Sequence, residues 1–263
     1  LFKIKFLNDL FVGFFQAINN GILSIFPDKN ISFGLSIIVL TIIIRVILLP
    51  LNIKQIKSSL MMSKLGPEIK KLQARYKSDP QKLQQETMKL YKEKGANPLG
   101  GCLPLIIQYP ILIALYYVFY TLEIKGIGFL WIHDLSKSAS LSDWTSWILP
   151  VISGATTYFS GMLMSSTVDK AQAKQTSTMN IVMSIVLFYM SLRFNAALVL
   201  YWVTGNIVQI LQTKLVMKMV ANKMANEEQE NKVVAESSVT VDHKNAVNNK
   251  KNKRKNKDNI DNN

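Results

Sequence analysis

The stretch ISFGLSIIVLTIIIRVILLPLNI, residues 31–53, is apolar and carries one charge, Arg45. A helix rises about 1.5 Å per residue, so a bilayer core of about 30 Å takes roughly 20 such residues. This run is long enough to cross a membrane. Leu103–Leu122 is a second run, uncharged, with Gln108 inside it. Three more cover about Ser146–Met164, about Met179–Leu192, which is short, and Ala196 to about Thr213. Arg193, Phe194 and Asn195 alone separate the last two, which predicts a tight hairpin. With their flanks the expected spans are 31–53, 103–122, 146–164, 179–194 and 196–217. The fold class expected is all-α, a polytopic membrane protein of five transmembrane helices.

The bulk composition agrees. Of 263 residues, 49% are hydrophobic and 18% are charged, and the two kinds are segregated along the chain rather than mixed at helical or strand period. The net charge of +14 points to anionic partners such as lipid headgroups, nucleic acid or acidic protein. One cysteine, Cys102, excludes an internal disulfide, and with two histidines a structural zinc site is not expected either. No metal, cofactor or catalytic residue is expected.

The charges also orient the spans. Of 31 Lys and Arg residues, 24 fall in 54–94, in 165–178 and in the segment from Lys214 onward. Lys3, Lys5, Lys29, Lys125, Lys137 and Arg193 belong to the other side. Cytoplasmic loops carry the excess of positive charge, so the first span runs outside to inside and the C-terminus is cytosolic.

Between and beyond the spans the sequence is also patterned. In residues 1–30, Leu7, Leu10, Phe11, Phe14, Phe15, Ile18 and Ile22 share one helical face. An amphipathic helix in the membrane interface and a sixth span both fit this segment. No small-residue cleavage site follows it, which disfavours a signal peptide. Residues 54–98 read as a helical hairpin. Its first arm carries Ile56, Leu60, Leu65, Ile69, Leu72 and Tyr76, and Gly66-Pro67 interrupts it. Lys77–Pro80 is the turn, and the second arm carries Leu83, Thr87, Leu90 and Tyr91. The loop 123–145 holds Phe129-Leu130-Trp131-Ile132 and Trp144, aromatic residues of the kind that sit at headgroup level. Residues 218–263 are rich in Asn, Lys and Glu and read as a disordered cytosolic tail. Its tract from Asn249 to Lys257 suits RNA phosphates, anionic lipid or mere solubility.

Arg45 needs a physical account. No Asp, Glu, Lys or His lies in any of the five apolar runs, so no ion-pair partner is evident. An Arg at a helix centre costs about 2.5–3.5 kcal/mol on insertion scales. Two placements fit it. The side chain snorkels toward cytosolic headgroups, since Leu51 is six residues on and therefore about 9 Å away along the helix. Alternatively it faces a hydrated cavity. Thr41 on the same face, Gln108, Thr156, Thr157, Ser160 and Asn206 supply uncharged polar groups from four of the five spans. With an unpaired Arg they favour a wet groove over interhelical hydrogen bonding alone.

The strings Thr41-Ile-Ile-Ile-Arg45-Val-Ile-Leu-Leu-Pro50-Leu51 and Asn97-Pro98-Leu99-Gly100-Gly101-Cys102-Leu103-Pro104 resemble the YidC/Oxa/Alb membrane insertases. Gln108-Tyr109-Pro110-Ile111, Phe129–Leu135 and Leu198-Val199-Leu200-Tyr201-Trp202-Val203-Thr204-Gly205-Asn206 extend the resemblance. It covers roughly residues 5–215 and is closest to the short five-span form of Gram-positive bacteria. It implies five helices enclosing a cytosol-open hydrophilic groove, a cytosolic hairpin after the first span, and an interfacial helix before it. It also implies that Arg45 and Thr41 lie in the groove, with Trp202 facing incoming substrate helices. Two departures are visible. Asn195-Ala196-Ala197 stands where relatives often have Pro-x-Gly, and Ser160 stands near a third-span glutamine of some Gram-positive relatives.

The function implied is a membrane protein insertase and chaperone of the bacterial cell membrane, acting alone or with the Sec translocon. Arg45, Thr41, Gln108, Thr157, Ser160, Trp202 and Asn206 are the candidate substrate-binding residues. Arg45 would attract acidic residues on a short translocated tail, and the substrate's apolar part would leave along the third and fifth helices. Nascent membrane proteins and anionic lipids are the expected partners, with the ribosome reached through the hairpin and basic tail. No specific DNA is expected. A secondary transporter needs intramembrane carboxylates or broken, repeat-related helices, and none is evident. An intramembrane hydrolase built on Ser160 would need a base, but His133 and His243 lie outside the spans. A scaffold that binds without inserting stays open on sequence alone.

Overall fold

The computed structural model describes residues 2–96, 103–122, 124–165, 170–223 and 226. The segment 97–102 and the basic tract 249–257 lie outside the described residues, as does the tail from 227 onward. All the named elements are helical. They are α1 (Phe2–Leu23), α2 (Lys29–Ile47), α3 (Leu49–Lys64), α4 (Gly66–Arg75), α5 (Pro80–Glu93), α6 (Leu103–Thr121), α7 (Ile148–Ser165), α8 (Lys170–Ser191) and α9 (Ala196–Lys223). The chain divides into two units, Leu1–Met217 and Lys218–Asn263. Among the described residues, α2 and α9 are long and apolar enough to cross a membrane, and Ile107–Thr121 and Ser177–Ser191 are shorter apolar helical stretches.

The helix ends follow from a few residues. Asp28 caps α2, its Oδ1 accepting from the amides of Asn30 at 2.7 Å and Ile31 at 3.4 Å. The apolar run continues to Ile53, yet α2 stops at Ile47 because Pro50 opens a new helix. Proline has no amide hydrogen and its ring clashes with the carbonyl four residues earlier, so it is tolerated only in a helix's first turn, and the joint falls at Leu48, two residues ahead, with ψ of −5°. The same joint recurs at Leu65 before Gly66-Pro67, again with ψ of −5°. Arg45 therefore lies in the last turn of α2, not midway along a longer helix. Cations at a helix C-terminus gain about 0.3–1 kcal/mol from the macrodipole.

In the hairpin, α4 and α5 are joined by the turn at 76–79, and Asp79 caps α5 by accepting from the Lys82 amide at 3.0 Å. Leu65, Tyr91 and Ala96 are buried together, with Met61, Met62, Ile69 and Leu90 packed around them. The stripe read from the sequence thus supplies only part of this contact.

The main core gathers Phe15 of α1, Phe33, Ile37 and Leu40 of α2, Leu115, Val118 and Phe119 of α6, and Ala197–Tyr201 of α9. Phe15 packs between Phe33 and Phe119, tilted against the first at 4.8 Å and edge-on to the second at 6.0 Å between ring centroids. Asn19 of α1 accepts from the hydroxyls of Ser32 and Ser36 at 3.1 Å each, which fixes α1 against α2.

Loop 124–143 closes this apolar end. Phe129 is buried on Gly34, where any Cβ would overlap its ring. The Gly128 amide donates to Asn30 Oδ1 at 2.9 Å. The amides of Ala196 and Ala197 donate to the carbonyls of Lys137 and Leu135 at 2.8 and 2.9 Å. Asn195 Oδ1 accepts from the Leu198 amide at 3.0 Å. Three amides at the start of α9, which no helix can satisfy internally, are therefore paired. That is the physical reason why Asn-Ala-Ala serves at this position: it supplies one cap and two free donors.

α7 and α8 form a tight pair. Gly154 lets the Phe188 side chain approach, and Gly161 does the same for Asn180. Ser153 and Ser191 share a buried hydrogen bond of 2.9 Å, and Asn180 Nδ2 donates to the Tyr158 carbonyl at 3.0 Å. The expectation of a short fourth segment beginning near 179 describes only the apolar part of α8, whose helix starts at Lys170. Hydropathy registers side chains, whereas the helix also runs through the polar residues ahead of them.

Candidate functional site

Polarity changes along the bundle. On α2 the buried apolar residues run from Phe33 to Ile44, and Arg45 follows. On α9 a close series runs from Ala197 to Val203, then Gly205, Asn206, Gln209, Gln212 and Thr213 follow, with one further buried apolar residue, Val216, beyond them. The polar end surrounds a cavity of about 250 Å³, lined by Arg45, Gln55, Gln108, Thr157, Ser160, Asn180, Tyr201, Trp202, Asn206 and Gln209 with a few apolar groups.

Arg45 is turned toward α9. Its Nη1 donates to Gln209 Oε1 at 2.6 Å. A Cβ on Gly205 would stand 2.9 Å from its Nη2, so the absence of a side chain there makes room for the guanidinium. Gln209 Nε2 donates to Asn52 Oδ1 at 3.1 Å and to Thr213 Oγ1 at 3.2 Å. Asn52 Nδ2 donates to Gln212 Oε1 at 3.3 Å, and Gln212 Nε2 donates to the Arg45 carbonyl at 3.1 Å. That carbonyl is one of the four at the end of α2, where intrahelical partners run out. A closed ring of hydrogen bonds thus links the end of α2, the start of α3 and α9. A hydrogen bond to a charged group contributes about 1.5–3 kcal/mol, comparable with the ~2.5–3.5 kcal/mol cost of an intramembrane Arg. The arginine is held without an ion pair, and no carboxylate pairs with it among the described residues.

Opposite Arg45 the wall is built by hydroxyls and amides. Asn206 Nδ2 donates to Thr157 Oγ1 at 2.8 Å and Thr156 Oγ1 at 3.3 Å, while Trp202 Nε1 donates to Thr157 Oγ1 at 3.2 Å. Gln108 Nε2 donates to the Tyr201 hydroxyl at 2.8 Å. Six of the seven candidate residues therefore line one cavity. Thr41 is apart from it: it is fully buried, its hydroxyl donates to the Ile37 carbonyl at 2.6 Å, and it is not among the lining residues.

The sequence reading passed over Gln209, Gly205, Asn52 and Tyr201. A signal for Gln209 was available, since Trp202, Asn206, Gln209 and Thr213 follow one another at spacings of four, three and four, one face of a helix. Nothing local marks Asn52, whose role depends on the break at Leu48.

A second, mainly apolar cavity of about 190 Å³ adjoins the first and shares Gln108, Met183, Leu187 and Trp202 with it. α6, α8 and α9 form its walls, and among the described residues none of α7 lines it. These are the second, fourth and fifth of the expected spans. At the other end of the molecule, loop residues from Trp131 to Ser146, together with Ser191, Phe194 and Val199, line a polar hollow of about 280 Å³. Burial pushes the Asp134 carboxyl up, but the hydroxyl and amide of Ser136, the amide of Gly126 and Lys137 outweigh it and hold the group below the ordinary carboxylate range. Asp143 is held low mainly by the Thr145 hydroxyl.

A family model described as "60Kd inner membrane protein" matches residues 25–223. A Clostridium acetobutylicum protein named "Membrane protein insertase YidC" is 61% identical over 256 residues, 97% of this chain and 100% of the relative. A Clostridium tetani protein of the same name is 49% identical over 223 residues, 84% of this chain and 98% of the relative. A Helicobacter pylori protein of that name is 44% identical over 195 residues, which are 73% of this chain and 34% of that longer relative. The chain belongs to the YidC/Oxa/Alb family of membrane insertases and is closely related to the YidC proteins of Gram-positive bacteria.

Proposed function

We propose that this protein is a membrane protein insertase and chaperone, not an enzyme, which moves short hydrophilic tails and hydrophobic helices of newly made proteins into the cytoplasmic membrane. The observation that carries the mechanism is Arg45, held by a neutral amide on the wall of a polar cavity at the Lys-rich end of the bundle. In this reading α2, α6, α7, α8 and α9 span the bilayer, α1 lies at its outer interface, and the hairpin α4–α5 and the C-terminus face the cytosol. The distribution of Lys and Arg supports that orientation.

A substrate helix must carry a polar flank across hydrocarbon. A cavity that brings hydroxyls, amides and one cation part-way across shortens the apolar distance left. Arg45 attracts an acidic residue on the tail more strongly than water would, because the surroundings are of low dielectric. The membrane potential then draws the acidic tail outward, at about 2.3 kcal/mol per charge per 100 mV. The substrate's apolar part leaves beside α6 and α8, where the second cavity is apolar. Thr41, one turn before Arg45 on α2 and bonded to the Ile37 carbonyl, is buried away from the cavity and does not contact substrate in this reading. The Sec translocon and the ribosome are the partners this role calls for, the latter through the hairpin and the basic tail.

The test is reconstitution of the purified protein into liposomes with a small substrate bearing an acidic translocated tail. Insertion is expected to fail with Arg45→Ala and largely to survive with Arg45→Lys. Full insertion with Arg45→Ala would remove the charge-attraction step, and substrate binding without insertion would mark the protein as a scaffold.

A further inference from the structure

Gln209 is held at both ends of its amide. Its Oε1 accepts from Arg45, while its Nε2 donates to Asn52 and Thr213. A guanidinium can only donate, so the amide oxygen must face it, and the two oxygen acceptors keep the nitrogen on the other side. The orientation of Gln209 is thereby fixed, and with Gly205 beneath Nη2 so is that of Arg45. Every group in this ring is uncharged except Arg45. A glutamate at 209 would occupy nearly the same volume and bind the guanidinium more strongly. It would also neutralise it.

We propose that Gln209 is the positioning residue of the site: a neutral tether that aims Arg45 into the cavity while leaving its whole charge available to an incoming acidic segment. This rests on the role given to Arg45 above. One of the guanidinium's five N–H groups is engaged by the tether, and the fork keeps donors for a carboxylate.

Two substitutions test it, each read on a substrate with an acidic tail and on one with an uncharged tail. Gln209→Glu is expected to lower acidic-tail insertion about tenfold, toward the Arg45→Ala value, because the site's charge is internally paired. Gln209→Met keeps the charge and removes the acceptor, and should lower acidic-tail insertion about threefold, the loss of part of one charge-assisted bond. With both substitutions the uncharged-tail substrate should lose less than the acidic-tail one, so that the ratio of acidic-tail to uncharged-tail insertion falls. A second measurement needs no substrate. In a chain with Cys102→Ser and a thiol introduced by Ser160→Cys, an anionic and a cationic methanethiosulfonate compete for labelling in the cavity. Gln209→Glu should lower the anionic-to-cationic labelling ratio several-fold, whereas Gln209→Met should leave it within about twofold. Parental acidic-tail insertion with either substitution, or an unchanged labelling ratio with Gln209→Glu, overturns the proposal. If Arg45→Ala itself inserts the acidic-tail substrate normally, the role of Arg45 fails, and the labelling ratio still decides whether Gln209 sets the charge of the cavity.

Discussion

Arg45 of α2 and Gln209 of α9 are 164 residues apart in the chain, and their side chains meet at 2.6 Å. The bond joins the end of one helix to the middle of another, and its neighbours Asn52, Gln212 and Thr213 make it a ring rather than a single contact. The site's geometry thus depends on how α9 is placed against the joint at Leu48.

Gly205 is the first place where this dependence is measurable. Gly205→Ala gains about 1 kcal/mol of helix propensity but puts a methyl group against Nη2. Thermal stability in detergent should therefore change by less than about 1 kcal/mol, while insertion of an acidic-tail substrate falls because the guanidinium is pushed from Gln209. In the Arg45→Ala background the same substitution should show only the propensity gain. Equal stability changes in the two backgrounds would separate Gly205 from Arg45.

The loop's closure over the core rests on Phe129 over Gly34. Gly34→Ala overlaps that ring, and forcing extra volume into a packed contact costs about 1–3 kcal/mol. A lowered unfolding temperature in detergent is expected, recovered in part by Phe129→Leu in the same chain. Additive losses from the two substitutions would mean that they do not touch.

Asn195 caps α9, and its loss leaves the Leu198 amide only the backbone carbonyl of residue 195 as acceptor. Asn195→Ala should cost about 0.5–2 kcal/mol, with Asn195→Asp or Asn195→Ser close to the parent. Hydrogen exchange at residues 196–199 should quicken in the alanine variant alone, and unchanged exchange there would remove the cap from the account.

Asp134 supplies a pH dependence whose sign is fixed. Its folded-state carboxyl lies below the ordinary range, so the stabilisation is present above the unfolded value, about 3.9, and is lost as pH falls through the folded one. The loop should loosen only at strongly acidic pH, visible as faster proteolysis or exchange at 134–137. Asp134→Asn should remove that acid step while leaving neutral-pH behaviour weakened by no more than about 1–3 kcal/mol. An acid step that persists in the variant assigns it to other carboxylates.

Much was legible without coordinates. Apolar runs specify helices of bilayer length because a backbone in hydrocarbon must satisfy its own hydrogen bonds. Pro67 and Pro80 mark the interruption and the turn of the hairpin, and their effect needs no partner, whereas the span read as 31–53 runs through the break that precedes Pro50. Polar residues inside apolar runs, among them Arg45, Gln108, Thr157, Ser160 and Asn206, mark candidate positions because their burial has a cost wherever they fold, while Trp202 is a candidate through the family resemblance alone.

Only the tertiary structure decided which of those groups meet. Thr41 and Arg45 share a helix face, yet one hydroxyl is sealed against its own backbone and the other side chain reaches α9. Gln209 and Asn52 look like ordinary surface residues until the break at Leu48 and the missing side chain at Gly205 bring them to the guanidinium. Helix periodicity is a property of neighbours along the chain. The pairing of a donor with an acceptor 164 residues away is a property of how helices pack, and that is set by the fit of many side chains at once.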